Sequence, residues 1–99
     1  MIAGKTENNV LTLTFEEQID AVNALDAEEE IFRQCRESEC DKVILDCRNL
    51  KKVSGSFLRI LMKLSKTMNN NISAVNVSAE VFEALDYSGF TNLIAIQRS

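Results

Sequence analysis

KVILDC at residues 42–47, RNLKKVSGS at 48–56 and FLRILMKLSKTM at 57–68 form the stretch whose reading decides the fold. Val43, Ile44 and Leu45 are an unbroken apolar run, the pattern of a β-strand covered on both faces, and the run ends in Asp46. A polar and basic loop of nine residues follows, closing on Ser54-Gly55-Ser56. From there Phe57, Leu58, Ile60, Leu61, Met62, Leu64 and Met68 give a helix over about 56–68, with a narrow polar stripe at Arg59, Lys63 and Lys66. The free N–H groups at the start of such a helix favour anionic groups. In open α/β folds the loops after the carboxyl ends of strands form the usual functional edge. Deep packing of this helix is the expectation, and a partner surface on it is the alternative.

The rest of the chain falls into place around that unit. VLTLTF at 10–15 alternates apolar and polar residues strictly, as a half-buried strand does. Before it, residues 2–5 can pair as an edge strand, with Gly4 and Asn8-Asn9 as turn signals. Residues 16–23 connect to a helix in which Ala24, Ala27, Ile31 and Cys35 recur at helical spacing, with Leu25 and Phe32 beside them. Asp20 or Asn23 can cap it, and Glu29 with Arg33 forms an i,i+4 pair. Asn69-Asn70-Asn71 is a turn, ISAVNV at 72–77 a strand, Ser78 the cap of a short helix over 79–87, and Gly89 its left-handed end. Residues 93–96 make a last short strand. Strands alternating with helices imply an α/β fold: a four- to five-stranded, mainly parallel (mixed) sheet with three to four helices and right-handed crossovers. Residues 1–99 read as one domain.

Composition narrows the function. The chain has 99 residues, 45% hydrophobic and 26% charged, as ordinary globular proteins do. No apolar run approaches the ~20 residues that span a bilayer, and no signal-peptide pattern opens the chain. The expectation is a cytoplasmic protein without membrane insertion. The net charge of −4 argues against a nucleic-acid partner. Residues 7–41 carry eleven acidic residues against Arg33 and Arg36, whereas residues 48–66 carry six basic residues and no acidic one. Solvated faces explain both blocks; a polarised surface that steers a protein partner is the sharper reading. There is no histidine, the spacing of Cys35, Cys40 and Cys47 fits no zinc pair, and no glycine-rich phosphate loop occurs. Neither metal, cofactor nor enzymatic activity is expected, and Cys35 and Cys47 read as small core residues.

Three pieces of the chain resemble the STAS domain family, the fold of bacterial anti-sigma-factor antagonists. Residues 18–24, QIDAVNA, are similar to its "R-I-D-x-x-N-A" approach to the first long helix. Residues 43–61 are similar to its "V-x-L-D-L-S-x-V-x-x-I-D-S-S-G-L-x-x-L". Val75-Asn76-Val77, then Val81 to Leu85 and Gly89-Phe90, resemble its "hydrophobic-N-x-S-x-x-V-x-x-x-L-x-x-x-G-L" ending. The resemblance implies docking on an anti-sigma factor that is a serine protein kinase, weakened by phosphorylation of a serine at the start of the second long helix. It also leaves room for a homodimer. Laid on "I-D-S-S-G-L", this chain reads Val53-Ser54-Gly55-Ser56-Phe57-Leu58, so the acceptor serine is replaced by Gly55. Ser56 and Ser54 flank the place and are the candidate phosphorylation sites, with helix capping as the structural role of Ser54 and backbone freedom in a turn as that of Gly55. Asp20, Asn23, Asp46, Ser54, Gly55, Ser56, Phe57, Leu58 and Arg59 are the candidate partner-binding residues. A STAS-like subunit that has lost phospho-control and assembles with a transporter or signalling complex is the alternative.

Overall fold

A computed structural model describes residues 2–16 and 18–99; Met1, and Glu17 of the expected connection, lie outside the described residues. In chain order the elements are β1 (Ile2–Glu7), β2 (Val10–Phe15), α1 (Ala24–Ser38), β3 (Lys42–Asp46), α2 (Gly55–Thr67), β4 (Ile72–Val77), α3 (Ala79–Tyr87), a single 3-10 turn (Phe90–Asn92) and β5 (Ala95–Arg98). The five strands lie side by side in sequence order, β1 antiparallel to β2 and the others parallel. The expected edge strand is therefore longer than residues 2–5 and fully paired. Asn8 and Asn9, both at positive φ (53° and 64°), form the tight turn that sets Glu7 opposite Val10.

Sheet order decides where the helices go. Every parallel connection moves one strand over in the same direction, and right-handed crossovers then put α1, α2 and α3 on one face. Leu11, Leu13, Phe15, Val43, Leu45, Ile72 and Ala74 point to that face and are buried beneath the helices, with Ile31, Ile60, Leu61, Leu64, Val81 and Leu85 opposite them. Val10, Thr12, Thr14, Ile44, Ser73 and Val75 share the other face by register and stay half-buried. This corrects the expectation that the central strand is covered on both sides. Ile44 completes the apolar run, yet among the described residues no helix covers its face.

Local chemistry explains most boundaries. Ser78 Oγ accepts from the Val81 N–H and starts α3, and Gly89 at φ 84° ends it. Asn69 and Asn70, at φ 55° and 62°, turn the chain after α2. Gly4 lies under the side chain of Gln34, whose Nε2 donates to the Ile2 carbonyl at 3.0 Å; a Cβ at Gly4 would collide with that amide. Three other expectations are corrected. Leu25 faces solvent at 70% exposure, because it lies off the stripe of Ala24, Ala27 and Ile31. Arg33 pairs with Glu30 at 2.5 Å and Glu37 at 2.9 Å, on either side of it along one helix face, and not with Glu29. The last strand begins at Ala95, since the 3-10 turn carries Phe90 into the core first.

Candidate functional site

The parallel strands β2, β3 and β4 end on one edge of the sheet, and the loops that follow them meet there. Gln18 stitches the first two together: its Nε2 donates to the Asn49 carbonyl at 3.2 Å, and its Oε1 accepts from the Lys52 N–H at 3.1 Å. Ser54 makes the third stitch. Its hydroxyl donates to the Ile19 carbonyl at 2.5 Å and accepts from the Phe57 N–H at 3.1 Å, so one side chain both ties the loops and caps α2.

Asp20 and Asn23 lie in the loop so tied, but their side chains do not cap the helix as expected. Asp20 Oδ1 accepts from the Val22 and Asn23 N–H groups at 2.9 and 3.0 Å, Asn23 Oδ1 accepts from the Asp20 N–H at 2.9 Å, and Asn23 Nδ2 donates to the Gln18 carbonyl at 2.8 Å. Asn23 occupies the N-cap position of α1, yet its side chain is spent on the loop. The pair shapes this edge from within, by local side-chain to backbone bonds that compete with helix capping.

Asp46 ends β3 with its side chain only 9% exposed. Arg48 clasps it through Nε at 3.1 and 3.0 Å and Nη2 at 2.8 Å, and Asn76 Nδ2 donates to Oδ1 at 3.0 Å. Burial opposes ionisation, but the bonds from the Arg48 and Asn76 side chains and the Arg48 N–H outweigh it and hold the carboxyl below its ordinary range. Asn76 reaches Asp46 from an irregularity in β4, at φ 57°, a left-handed conformation that asparagine tolerates better than most residues.

At the first turn of α2, Gly55 is exposed and Ser56 half-buried. Gly55 has an ordinary φ, and a Cβ there would meet nothing within 4 Å. The turn-freedom expectation is thereby corrected: it is a helical residue, and no backbone demand calls for glycine. Phe57 points inward, 2% exposed, its ring edge-on to Phe15 with centroids 5.4 Å apart. It supports the edge from below and offers no side-chain surface. Leu58 is half-buried and Arg59 exposed, so these carry the outward face. The structure thus ties the loop of Asp20 and Asn23 to Ser54 through the Ile19 carbonyl, beside Gly55 to Arg59, whereas Asp46 belongs to a separate cluster with Arg48 and Asn76.

Gln18, Arg48 and Asn76 complete the edge and were absent from the candidate set. For Asn76 a signal existed: an asparagine beside the end of a β-branched strand, where left-handed backbone is at home. For Gln18 and Arg48 nothing local marks them. The broad surface hollow along α1, lined by Asp26, Glu30, Phe32 and Arg36 among others, contains none of the candidate residues.

The family model of the STAS domain matches residues 1–99. The chain belongs to the STAS domain family. No curated protein matches it in sequence. Among solved structures, the Thermotoga maritima protein TM1081, a candidate anti-sigma factor antagonist, is similar with a TM-score of 0.89 at 14% identity, over 99% of this chain and 86% of that one. An anti-sigma factor antagonist from Mycobacterium paratuberculosis gives 0.87 at 13% identity, over 100% and 86%. The phosphorylated form of the Bacillus cell fate determinant SpoIIAA gives 0.72 at 9% identity, over 97% and 90%. At such identities the likeness is one of fold. Among the described residues no helix of this STAS domain is long and apolar enough to cross a membrane.

Proposed function

We propose that the chain is an anti-sigma-factor-antagonist-like regulator, a binding protein and not an enzyme, acting in the cytoplasm. It docks on a serine-kinase anti-sigma factor through the first turn of α2 and the loops beside it, and phosphorylation at that turn controls the docking. The observation that carries this reading is the edge itself: an accessible helix start at Gly55 and Ser56, flanked by Leu58 and Arg59, beside loops held by the hydrogen bonds of Ser54, Asp20 and Asn23. The family match and the antagonist folds it resembles support it.

Ser56 is the better acceptor of the two serines. Ser54 Oγ is committed as donor and as cap, and modifying it would break both bonds. A phosphate on Ser56 would sit at a helix N-terminus, where its charge of about −1.5 to −2 suits the dipole. The fold would survive while the basic surface met by the partner lost most of its positive charge.

Incubation with the host's anti-sigma-type serine kinases and ATP, followed by intact mass and fragmentation, is expected to place one phosphate on Ser56. Ser56→Asp should weaken kinase binding by about tenfold, with Ser56→Ala close to the parent. Equal binding of all three forms would sink the switch. A second reading has its own support. Gly55 stands where the family's acceptor serine is expected, with open space around it and no conformational need for glycine. A stable complex with a kinase or another subunit, without any phosphate, would favour a STAS subunit kept for assembly alone.

A further inference from the structure

α1 stops at Ser38 because Glu39 turns left-handed (φ 52°, ψ 40°) and returns its N–H to the Arg36 carbonyl. A helix closed in this way folds the residue after the left-handed one back over the last turn. An apolar contact commonly fills that place. Here the two residues in question are Cys40 and Cys35. Cys40 Sγ lies 4.0 Å from the Cys35 carbonyl oxygen, to which it donates, so the Cys40 side chain folds back over the turn that carries Cys35. Both are half-buried, both pack against the core from its margin, and both are free thiols.

We propose that Cys35 and Cys40 form an oxidation site, at which hydrogen peroxide converts the two thiols into an intramolecular disulfide across the C-terminal cap of α1. The Cys40 sulfur attacks a peroxide oxygen; the O–O bond breaks, one water leaves, and Cys40 becomes a sulfenic acid. The Cys35 sulfur then bonds to the Cys40 sulfur, the S–O bond breaks, and the hydroxyl departs with the Cys35 proton as a second water. Two electrons and two protons leave the pair, and one peroxide is reduced to two waters. Burial, with Cys40 nearby, pushes the Cys35 thiol up to about 11, which suits Cys35 to the second step, where it meets the sulfenic acid. The third cysteine is the internal control: Cys47 is 2% exposed, and burial pushes its thiol up to about 12. The site lies at the amino end of β3, away from the edge that Ser54 organises.

The test uses the full chain, reduced, freed of reductant and treated with hydrogen peroxide, then denatured and alkylated. The expected product has lost two hydrogens, takes up alkylating agent only at Cys47, and yields tryptic peptide 34–36 joined to 37–42. Dithiothreitol should restore the parent mass, and Cys40→Ser should remove the linked peptide. Oxygen adducts without hydrogen loss, an unchanged mass, a link that includes Cys47, or a disulfide-joined dimer would each overturn the proposal. Peptide mapping of the parent chain decides the matter even if the variant fails to fold.

Discussion

Asn76 holds a left-handed backbone at φ 57° and gives its amide to Asp46, so it does two things at once. Asn76→Ala removes both the bond and the tolerance for positive φ, and should cost about 1–3 kcal/mol in urea unfolding. Asn76→Gly keeps the backbone at ease and loses only the bond. It should therefore be the milder change, and an equal or larger loss in the glycine variant would mean that φ carries no strain here. Asp46 adds a pH dependence of known sign. Its carboxyl is held below its ordinary value of 3.8, so the stability it contributes is present above that pH and fades as pH falls through the lower folded-state value. Ser65 is the opposite case, a hydroxyl buried in α2 with no partner among the described residues. Ser65→Ala should raise stability by about 1 kcal/mol, measured by urea unfolding, because nothing compensates the dehydration of that hydroxyl. A loss would reveal a bond that the hydroxyl makes.

The start of α2 shows how a sequence position changes meaning once its element is known. Gly55 is adjacent to two serines and reads naturally as a turn residue. In the structure Ser54 has already ended the loop, since its hydroxyl takes the Phe57 N–H, and Gly55 is the first helical residue. Gly55→Ala should then be neutral or stabilising by up to about 0.5 kcal/mol in thermal unfolding, for a glycine in a helix costs conformational entropy. A clear fall in stability would indicate a strain that the geometry does not show. The α3 boundaries, by contrast, were legible from Ser78 and Gly89 alone. Local hydrogen bonding fixes both ends, and tertiary context had nothing to override. Asn23 is the reverse case: it holds the N-cap position, but its amide finds partners in Asp20 and Gln18 before it can cap.

Across the whole molecule the charge runs from acidic α1 to the basic loop and stripe of α2, and the two blocks meet. Lys63 Nζ reaches Glu28 at 2.9 Å, so part of the polarity is spent within the chain. Arg48, Lys51, Lys52 and Arg59 stay exposed around the proposed docking edge. If that surface steers an acidic partner, Arg59→Glu should slow association and lessen its dependence on salt, as read by stopped-flow at two ionic strengths. An unchanged rate would put the basic stripe outside the interface.

The sequence by itself determined the order of elements, the mainly parallel sheet, the caps at Ser54 and Ser78, and the family. The family rests on the three stretches that resemble its motifs; the rest follows from periodicity, turn chemistry and hydrogen bonds between near neighbours, all of which act over a few residues. Tertiary structure alone decided which face of the sheet is bare, that Leu25 faces water, that Asp46 is held by Arg48 and Asn76, and that Gln18 joins loops far apart in the chain. An apolar run over Val43, Ile44 and Leu45 reads the same whether one face or two are covered. The difference lies in the direction in which successive crossovers step, and that is a property of strand order, which no local window contains.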